Sequence, residues 1–216
     1  MTAVSLMQLW SVIGKQLRKP SGRTGRLVGW AMSLANRRPI RMAVAKLEVH
    51  PDSFVLDMGC GPGDALALIG RRLASGQAHG LDQSGTILEQ AAQRNRSLMR
   101  RGLVKLARGE FERLPYQDQY FDRVLAANVA YFWYDIPLVL REIRRVLRPG
   151  GRLVLYATDA EDMRRWKFAT PGTHRLIDAD LLRREAVEAG FSVEQVKVEH
   201  VPMGFGVKGI LAEFTR

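Results

Sequence analysis

The 216-residue chain has a single cysteine, Cys60, which excludes an internal disulfide and suits a reducing compartment. An isolated cysteine in a tight turn reads first as a small apolar side chain and only second as a reactive thiol. No run of 18 apolar residues occurs, so the pattern offers no membrane-spanning helix. Histidine is scarce: His50, His79, His174 and His200 are the whole set, and none stands at ligand spacing from another histidine, the cysteine or a carboxylate pair. A metal is therefore not expected. The start, Met1 to Leu17, lacks a basic lead and a small-residue cleavage site, so a secretory signal is not expected and a cytoplasmic protein is. No internal repeat or low-complexity tract interrupts the chain. Its length and its 46% hydrophobic content fit one soluble domain with a single well-buried core.

What is present begins with Phe54-Val55-Leu56-Asp57-Met58-Gly59-Cys60-Gly61-Pro62-Gly63. An apolar strand runs into an acidic residue, and glycine then recurs at alternate positions until a helical pattern starts at Asp64. A strand that ends in glycine exposes backbone N–H groups and lets a ligand approach without striking a Cβ. The dinucleotide fingerprint G-x-G-x-x-G would need glycine where Asp64 stands. A carboxylate at Asp57 would repel a pyrophosphate, and it suits a ligand that carries a positive charge or an amino group.

The rest of the chain alternates strands and helices. After the helical run Ala65 to Leu73, the stretch Gln77 to Asp82 reads as a second strand with an acid at its tip, placed to accept hydrogen bonds from ribose hydroxyls. Val104–Arg108 and Phe121–Asn128 read as strands three and four. A helix from Pro137 to Leu147 stops at Arg148-Pro149-Gly150-Gly151, and Arg152–Ala157 is a fifth strand. Asp178 starts a helix over Asp180–Ala189. Phe191–Val198 and Gly209–Phe214 read as strands six and seven. Strand–helix alternation implies an α/β fold with a parallel sheet, and each polar position falls at a strand's carboxyl end, where such sheets bind ligands.

These motifs, in this order and spacing over roughly residues 40–216, resemble the class I S-adenosylmethionine-dependent methyltransferases. Leu114-Pro115-Tyr116 and Leu147-Arg148-Pro149-Gly150-Gly151 are similar to the ubiquinone- and menaquinone-biosynthesis group of that family. The resemblance implies a doubly wound, Rossmann-like, seven-stranded, mostly parallel sheet with an antiparallel C-terminal edge strand, and S-adenosyl-L-methionine as cofactor. It puts Asp57 near the cofactor's amino group and Gly59, Cys60, Gly61 and Gly63 beneath its methionine part. It puts Asp82 and Gln83 at the ribose, Glu110 and Phe111 at the adenine, and Asn128 next to the reacting methyl group. Glu110 departs from the family's usual aspartate by one methylene.

Methyltransferases that act on planar amides or base amines commonly show Asn/Asp-Pro-Pro-Tyr/Phe after strand four. Here Asn128 is followed by Val129-Ala130-Tyr131 without prolines. The aromatic run Tyr131-Phe132-Trp133-Tyr134 is expected to divide between a flat wall for the acceptor, through Tyr131, Phe132 and Trp133, and packing on the sheet. Between Asp159 and Ile177, where related enzymes insert substrate-binding elements, lie Trp166, His174 and Arg175, around Thr170-Pro171-Gly172. His174 is the candidate general base because an unperturbed imidazole titrates near neutrality, and a structural histidine is the alternative. Tyr131 is the second catalytic candidate, as a hydrogen-bond donor, and Arg175 a substrate contact. The Met203-Gly204-Phe205-Gly206 loop is a candidate border of the same site.

Charge divides the chain differently. The net charge is +11, and residues 1–46 hold nine lysines and arginines with no acid, which leaves 11 − 9 = +2 for residues 47–216. The same segment carries Leu6, Trp10, Ile13 and Leu17, then Leu27, Trp30 and Leu34, at helical spacing around Pro20-Ser21-Gly22. A basic amphipathic cap, 1–46, before a methyltransferase domain, 47–216, is the expected organisation. The cap either covers the site or lies on a membrane surface, and the two are compatible. The expected activity is methyl transfer to a small hydrophobic or aromatic acceptor. A membrane-lipid acceptor is the first alternative. A nucleic-acid methyltransferase or a non-enzymatic RNA-binding relative is the second and weaker one, kept by the net charge.

Overall fold

A computed structural model describes residues 36–169, 174–204 and 206–216, with positions 14, 17, 22, 24, 27, 33 and 34 before them. Among these, α1 spans Arg37–Lys46, β1 Phe54–Met58, α2 Asp64–Gly70, β2 Gln77–Asp82, α3 Gly85–Arg94, α4 Arg96–Arg100, β3 Val104–Arg108 and β4 Phe121–Ala127. Then follow a 3-10 turn at Ala130–Phe132, α5 Ile136–Val146, β5 Leu147–Thr158, α6 Ala160–Met163, α7 Ala179–Glu188, β6 Val196–Gly204 and β7 Val207–Thr215.

The seven strands form one sheet in the order β3-β2-β1-β4-β5-β7-β6. All neighbours from β3 to β5 pair in parallel, and β7 runs antiparallel between β5 and β6. The C-terminal pair is thus a hairpin whose second strand inserts into the sheet. Side chains alternate strictly between two cores. Leu56, Val124, Ala126, Leu153 and Leu155 enter the core shared with α5 and α7, whereas Val55, Leu125, Val154 and Tyr156 enter the one shared with α1 and α2. This is the period of two of a strand covered on both faces. Helix α5 is amphipathic: Ile136, Val139, Leu140, Ile143 and Val146 are buried at helical spacing, and Asp135 caps its start by accepting from Leu138 N.

Strand six differs from expectation. Residues 192–195 are not strand, because Ser192 and Gln195 form a reciprocal capping box around a 3-10 turn, and pairing begins only at Val196. The strand then runs through Pro202 and Met203 to Gly204. Its place at the sheet edge tolerates a residue without an N–H. Met203 and Gly204 therefore belong to the hairpin, and Phe205 lies outside the described residues. So do Thr170, Pro171 and Gly172, and Leu6, Trp10, Ile13 and Trp30 of the N-terminal stripe.

The chain order leaves β1 toward β2 on one side and β4 on the other. That reversal opens a crevice at the carboxyl ends of β1 and β4, the place where such sheets bind ligands.

Candidate active site

The loop after β1 is the floor of this crevice. Gly59 N–H and Cys60 N–H both donate to Leu81 O, at 2.8 and 3.0 Å, which ties the loop to β2. Gly63, at φ +83°, is glycine for packing, since a Cβ there would lie 2.5 Å from the Asn95 Nδ2 that holds the loop from below. Gly61, at φ +53°, is different: a Cβ there would meet nothing nearer than a carbonyl oxygen 4.0 Å away. Its open side is the cleft.

Three carboxylates surround this floor. Asp57 is buried at the end of β1, and its Oδ2 has no hydrogen-bond partner among the described residues. Burial above all, then the Asp82 and Asp64 charges, push its carboxyl up to about 8. Asp82, at the end of β2, accepts from Ser84 N at 2.9 Å and Gly61 N at 3.1 Å. Burial raises its pKa, and those N–H bonds work against the rise. Three acids around one loop, one of them buried with an oxygen unpartnered among the described residues, fit a ligand with a positive centre and an ammonium group and disfavour a polyphosphate. S-adenosylmethionine meets that description. The Cys60 thiol lines the cleft but is buried, and burial with the charges of Asp57 and Asp82 pushes it well above its usual range, so it is no nucleophile.

The two positions expected at the adenine part ways. Phe111 is buried and lines the cleft. Glu110 is exposed and lies instead in an adjoining shallow groove with Gln83, Arg108 and Gly109, where Arg108 Nε donates to the Gln83 carbonyl at 3.1 Å.

At the end of β4 the chain turns through Asn128, at φ +56°. Asparagine is one of the few side chains that adopt this left-handed conformation readily. Its N–H donates to Tyr156 O at 2.8 Å, and its side chain lines the cleft beside Val129 and Phe132. The Tyr131 hydroxyl donates to Asn128 Oδ1 at 2.7 Å and accepts from Thr158 N–H.

The aromatic run splits more sharply than expected. Phe132 lines the cleft. Trp133 is 1% exposed and sits in the core with Ile136 and Leu140, so it is a packing residue and not an acceptor contact; apolar area drives it inward, even at the cost of an indole N–H without a partner among the described residues. Tyr131 is buried and its hydroxyl is engaged within the wall, so the donor role toward the acceptor is not open to it directly. His174 is also buried, its ring 4.9 Å from that of Phe132, 5.7 Å from Phe168 and 6.1 Å from Tyr131. It packs against the residue that lines the cleft and does not line it itself. The base role expected of it has no geometric support. Arg175 donates its backbone N–H to Tyr131 O at 2.8 Å and is exposed.

The opposite wall comes from the N-terminal segment and was not legible residue by residue. Leu17, Ser33, Asn36 and Ile40 line the cleft. Ser33 Oγ donates to Asp64 Oδ2 at 2.5 Å, Arg94 pairs with both Asp64 and Ser33, and Asn128 Nδ2 donates to Asn36 Oδ1 at 2.9 Å. In the sequence, the spacing 33, 36, 40 reads as one helical face, the signal that could have found it, although in the structure Asn36 is the N-cap of α1 and Ser33 precedes it. Leu27 and Leu34, members of the expected apolar stripe, do not line the cleft and are 67% and 53% exposed.

Comparison with known proteins agrees with this geometry. A family model described as a methyltransferase domain matches residues 56–155. A 2-phytyl-1,4-naphtoquinone methyltransferase of Synechococcus elongatus is 39% identical over 119 residues, 53% of this chain and 50% of the relative. The enzyme of that name in Trichormus variabilis is 28% identical over 195 residues, 79% of this chain and 84% of its own length. The chain thus spans about half the length of the relatives it matches at the higher identity. Among solved structures, Haemonchus contortus phosphoethanolamine N-methyltransferase 2, in complex with phosphomonomethylethanolamine and S-adenosylhomocysteine, shares the fold at TM-score 0.73 and 13% identity, over 88% of this chain and 57% of that one.

Proposed function

We propose that this chain, a member of the class I S-adenosylmethionine-dependent methyltransferases, transfers the cofactor's methyl group to a small, hydrophobic, ring-bearing acceptor such as a quinol. The observation that carries the reading is a cleft with two unlike sides. One is the glycine loop, where Gly61 and Asp82 line the cleft and Asp57 is buried beneath, and the other is the apolar wall of Ile40, Val129 and Phe132. When bound, S-adenosylmethionine supplies an activated methyl group, whose carbon–sulfur bond breaks with its electron pair on sulfur while the acceptor gains the methyl and releases a proton. The chain's own residues bind and align. Asp57 meets the ammonium group, Asp82 the ribose hydroxyls, and the apolar wall holds the ring flat and excludes water. The naphtoquinone relatives support an acceptor of this class.

Calorimetric titration with S-adenosylmethionine and S-adenosylhomocysteine, with NAD as control, tests the cofactor. Micromolar binding of the first two alone is expected. Transfer of labelled methyl to a reduced naphthoquinone then tests the acceptor class, and cofactor binding with no ring acceptor methylated would sink that half.

A second reading, contact with a membrane surface, is favoured by one observation. Leu27 and Leu34 are exposed, as are Arg37, Arg38 and Arg41, and none of the five lines the cleft. Membrane contact would bring a greasy or lipid acceptor to the cleft from the bilayer. No helix among the described residues is long and apolar enough to cross a membrane, so such contact would be peripheral.

A further inference from the structure

The hydrogen bonds that cross the cleft wall decide which atoms of its two asparagines are left for an acceptor. The chain starts at a group that cannot be reversed, since the backbone N–H of Thr158 can only donate. It donates to the Tyr131 hydroxyl. A phenol that accepts there keeps one proton to give, and gives it to Asn128 Oδ1 at 2.7 Å. Burial pushes the Tyr131 phenol well above its ordinary range, so it remains a donor across all working pH. The Asn128 amide is thereby oriented, with its oxygen turned to Tyr131 and its Nδ2 toward Asn36, whose Oδ1 accepts at 2.9 Å. Both carbonyl oxygens are engaged inside the wall. Both asparagines line the cleft, and with each oxygen already accepting within the wall, the groups with most left to offer are the N–H bonds: both on Asn36 Nδ2 and the second on Asn128 Nδ2.

We infer that Asn128 and Asn36 form a donor subsite for an oxygen of the acceptor ring, a carbonyl, phenolate or enolate oxygen, and discriminate against an amine in the same position. This rests on the reading of the cleft as a methyl-transfer site for a ring-bearing acceptor, and names the group that the ring carries. An aryl oxygen brings lone pairs to meet the amide N–H groups. An aryl amine, its own lone pair delocalised into the ring, brings further N–H, and donor facing donor leaves both unsatisfied on burial. Donors at that oxygen also favour its ionised form, which pushes electron density into the ring for attack on the methyl group. Tyr131 is a positioning residue in this scheme. It touches no acceptor and sets which edge of Asn128 faces one.

The test is equilibrium binding of 1-naphthol and 1-naphthylamine to the full chain saturated with S-adenosylhomocysteine, in the wild type and in Asn128→Asp. The two probes differ only in oxygen against nitrogen. The wild type is expected to bind the naphthol at least tenfold more tightly. Asn128→Asp replaces the donor by an acceptor and should abolish or invert that ratio, with the variant's own S-adenosylhomocysteine affinity measured first so that both probes are titrated into fully loaded protein. Tyr131→Phe frees the amide to turn and should shrink the ratio toward one, with a smaller loss in either probe's affinity than Asn128→Asp causes. A wild-type ratio near one, with both probes bound, overturns the donor subsite alone, whatever the variants do. Binding of neither probe to cofactor-loaded protein overturns the ring-acceptor reading and the subsite with it.

Discussion

Asp57 is held by the fold in surroundings that oppose its charge. Its carboxyl is buried, lacks a partner at Oδ2 among the described residues, and is pushed up from 3.8 to about 8. A folded-state value above the unfolded one means the native state holds a proton the unfolded state has lost. The contribution to stability is therefore complete below about pH 4 and is lost as pH rises toward 8. An ammonium group beside Asp57 reverses the preference. Cofactor binding near pH 7 should release about one proton, seen as a dependence of the calorimetric heat on the buffer's ionisation enthalpy, and affinity should rise by up to roughly tenfold per pH unit below pH 8. Asp57→Asn should abolish the proton release and weaken binding. It should also stabilise the free protein at pH 8 by on the order of 1 kcal/mol, roughly 2–4 °C in Tm for a chain of this size. Proton release that survives in Asp57→Asn would assign the linkage elsewhere. Asp82→Ala should cost about 0.5–1.5 kcal/mol for each ribose hydrogen bond lost, and more if the loop loosens, because Asp82 also holds the N–H groups of Gly61 and Ser84. Gly61→Val should remove cofactor binding, since its Cβ would stand in the cleft at a φ that branched residues avoid. These three positions were legible in the sequence because a strand's end fixes where its next residues go. Glu110 was not, since whether a long side chain turns into a cleft or out to solvent is decided by neighbours distant in sequence.

At the scale of elements, local chemistry located strands well and divided aromatics poorly. The starts and ends of β2 and β3 match expectation residue for residue, because Gly76 and Gly102 precede them and an apolar run fills them. Strand six was misplaced because Phe191–Val198 alternates like a strand while Ser192 and Gln195 satisfy each other locally, and the local bonds win. The run Tyr131–Tyr134 was ambiguous for a stronger reason. Four adjacent aromatics in a turn all favour burial, and only the arrangement of α5 against the sheet decides which one reaches the core. Trp133 does, and Tyr134, 85% exposed, does not. Trp133→Ala should therefore destabilise the fold by about 3–5 kcal/mol, and Tyr134→Ala by less than about 0.5 kcal/mol, in urea unfolding. Similar losses for both would mean the 3-10 turn at Ala130–Phe132 does not hold the partition described.

At the scale of the molecule, the described residues of the N-terminal segment divide between cleft and solvent. Leu17, Ser33, Asn36 and Ile40 line the cleft and lie outside the span 56–155 that the family model matches. Leu27, Leu34, Arg37, Arg38 and Arg41 are exposed. Nine of the positive charges behind the chain's net +11 lie in residues 1–46, which hold no acid, so the excess is concentrated in one segment of the sequence. Each basic side chain near an anionic bilayer is worth about 1 kcal/mol, and a Debye length of about 8 Å at physiological salt confines that attraction to close approach. Binding to phosphatidylglycerol vesicles should therefore exceed binding to phosphatidylcholine vesicles and fall steeply between low and high salt. Arg37→Gln, Arg38→Gln and Arg41→Gln combined remove three such charges, about 3 kcal/mol, and should lower vesicle partition by on the order of a hundredfold. None of the three lines the cleft, so turnover of a water-soluble acceptor should stay within about twofold of wild type. Turnover of a long-tailed acceptor embedded in vesicles should fall with the partition. If vesicle binding falls and the embedded acceptor is still methylated at the original rate, the exposed arginines bind lipid without feeding the site. Equal binding to neutral and anionic vesicles would leave the positive segment as a solvated cap whose cleft-lining residues alone matter.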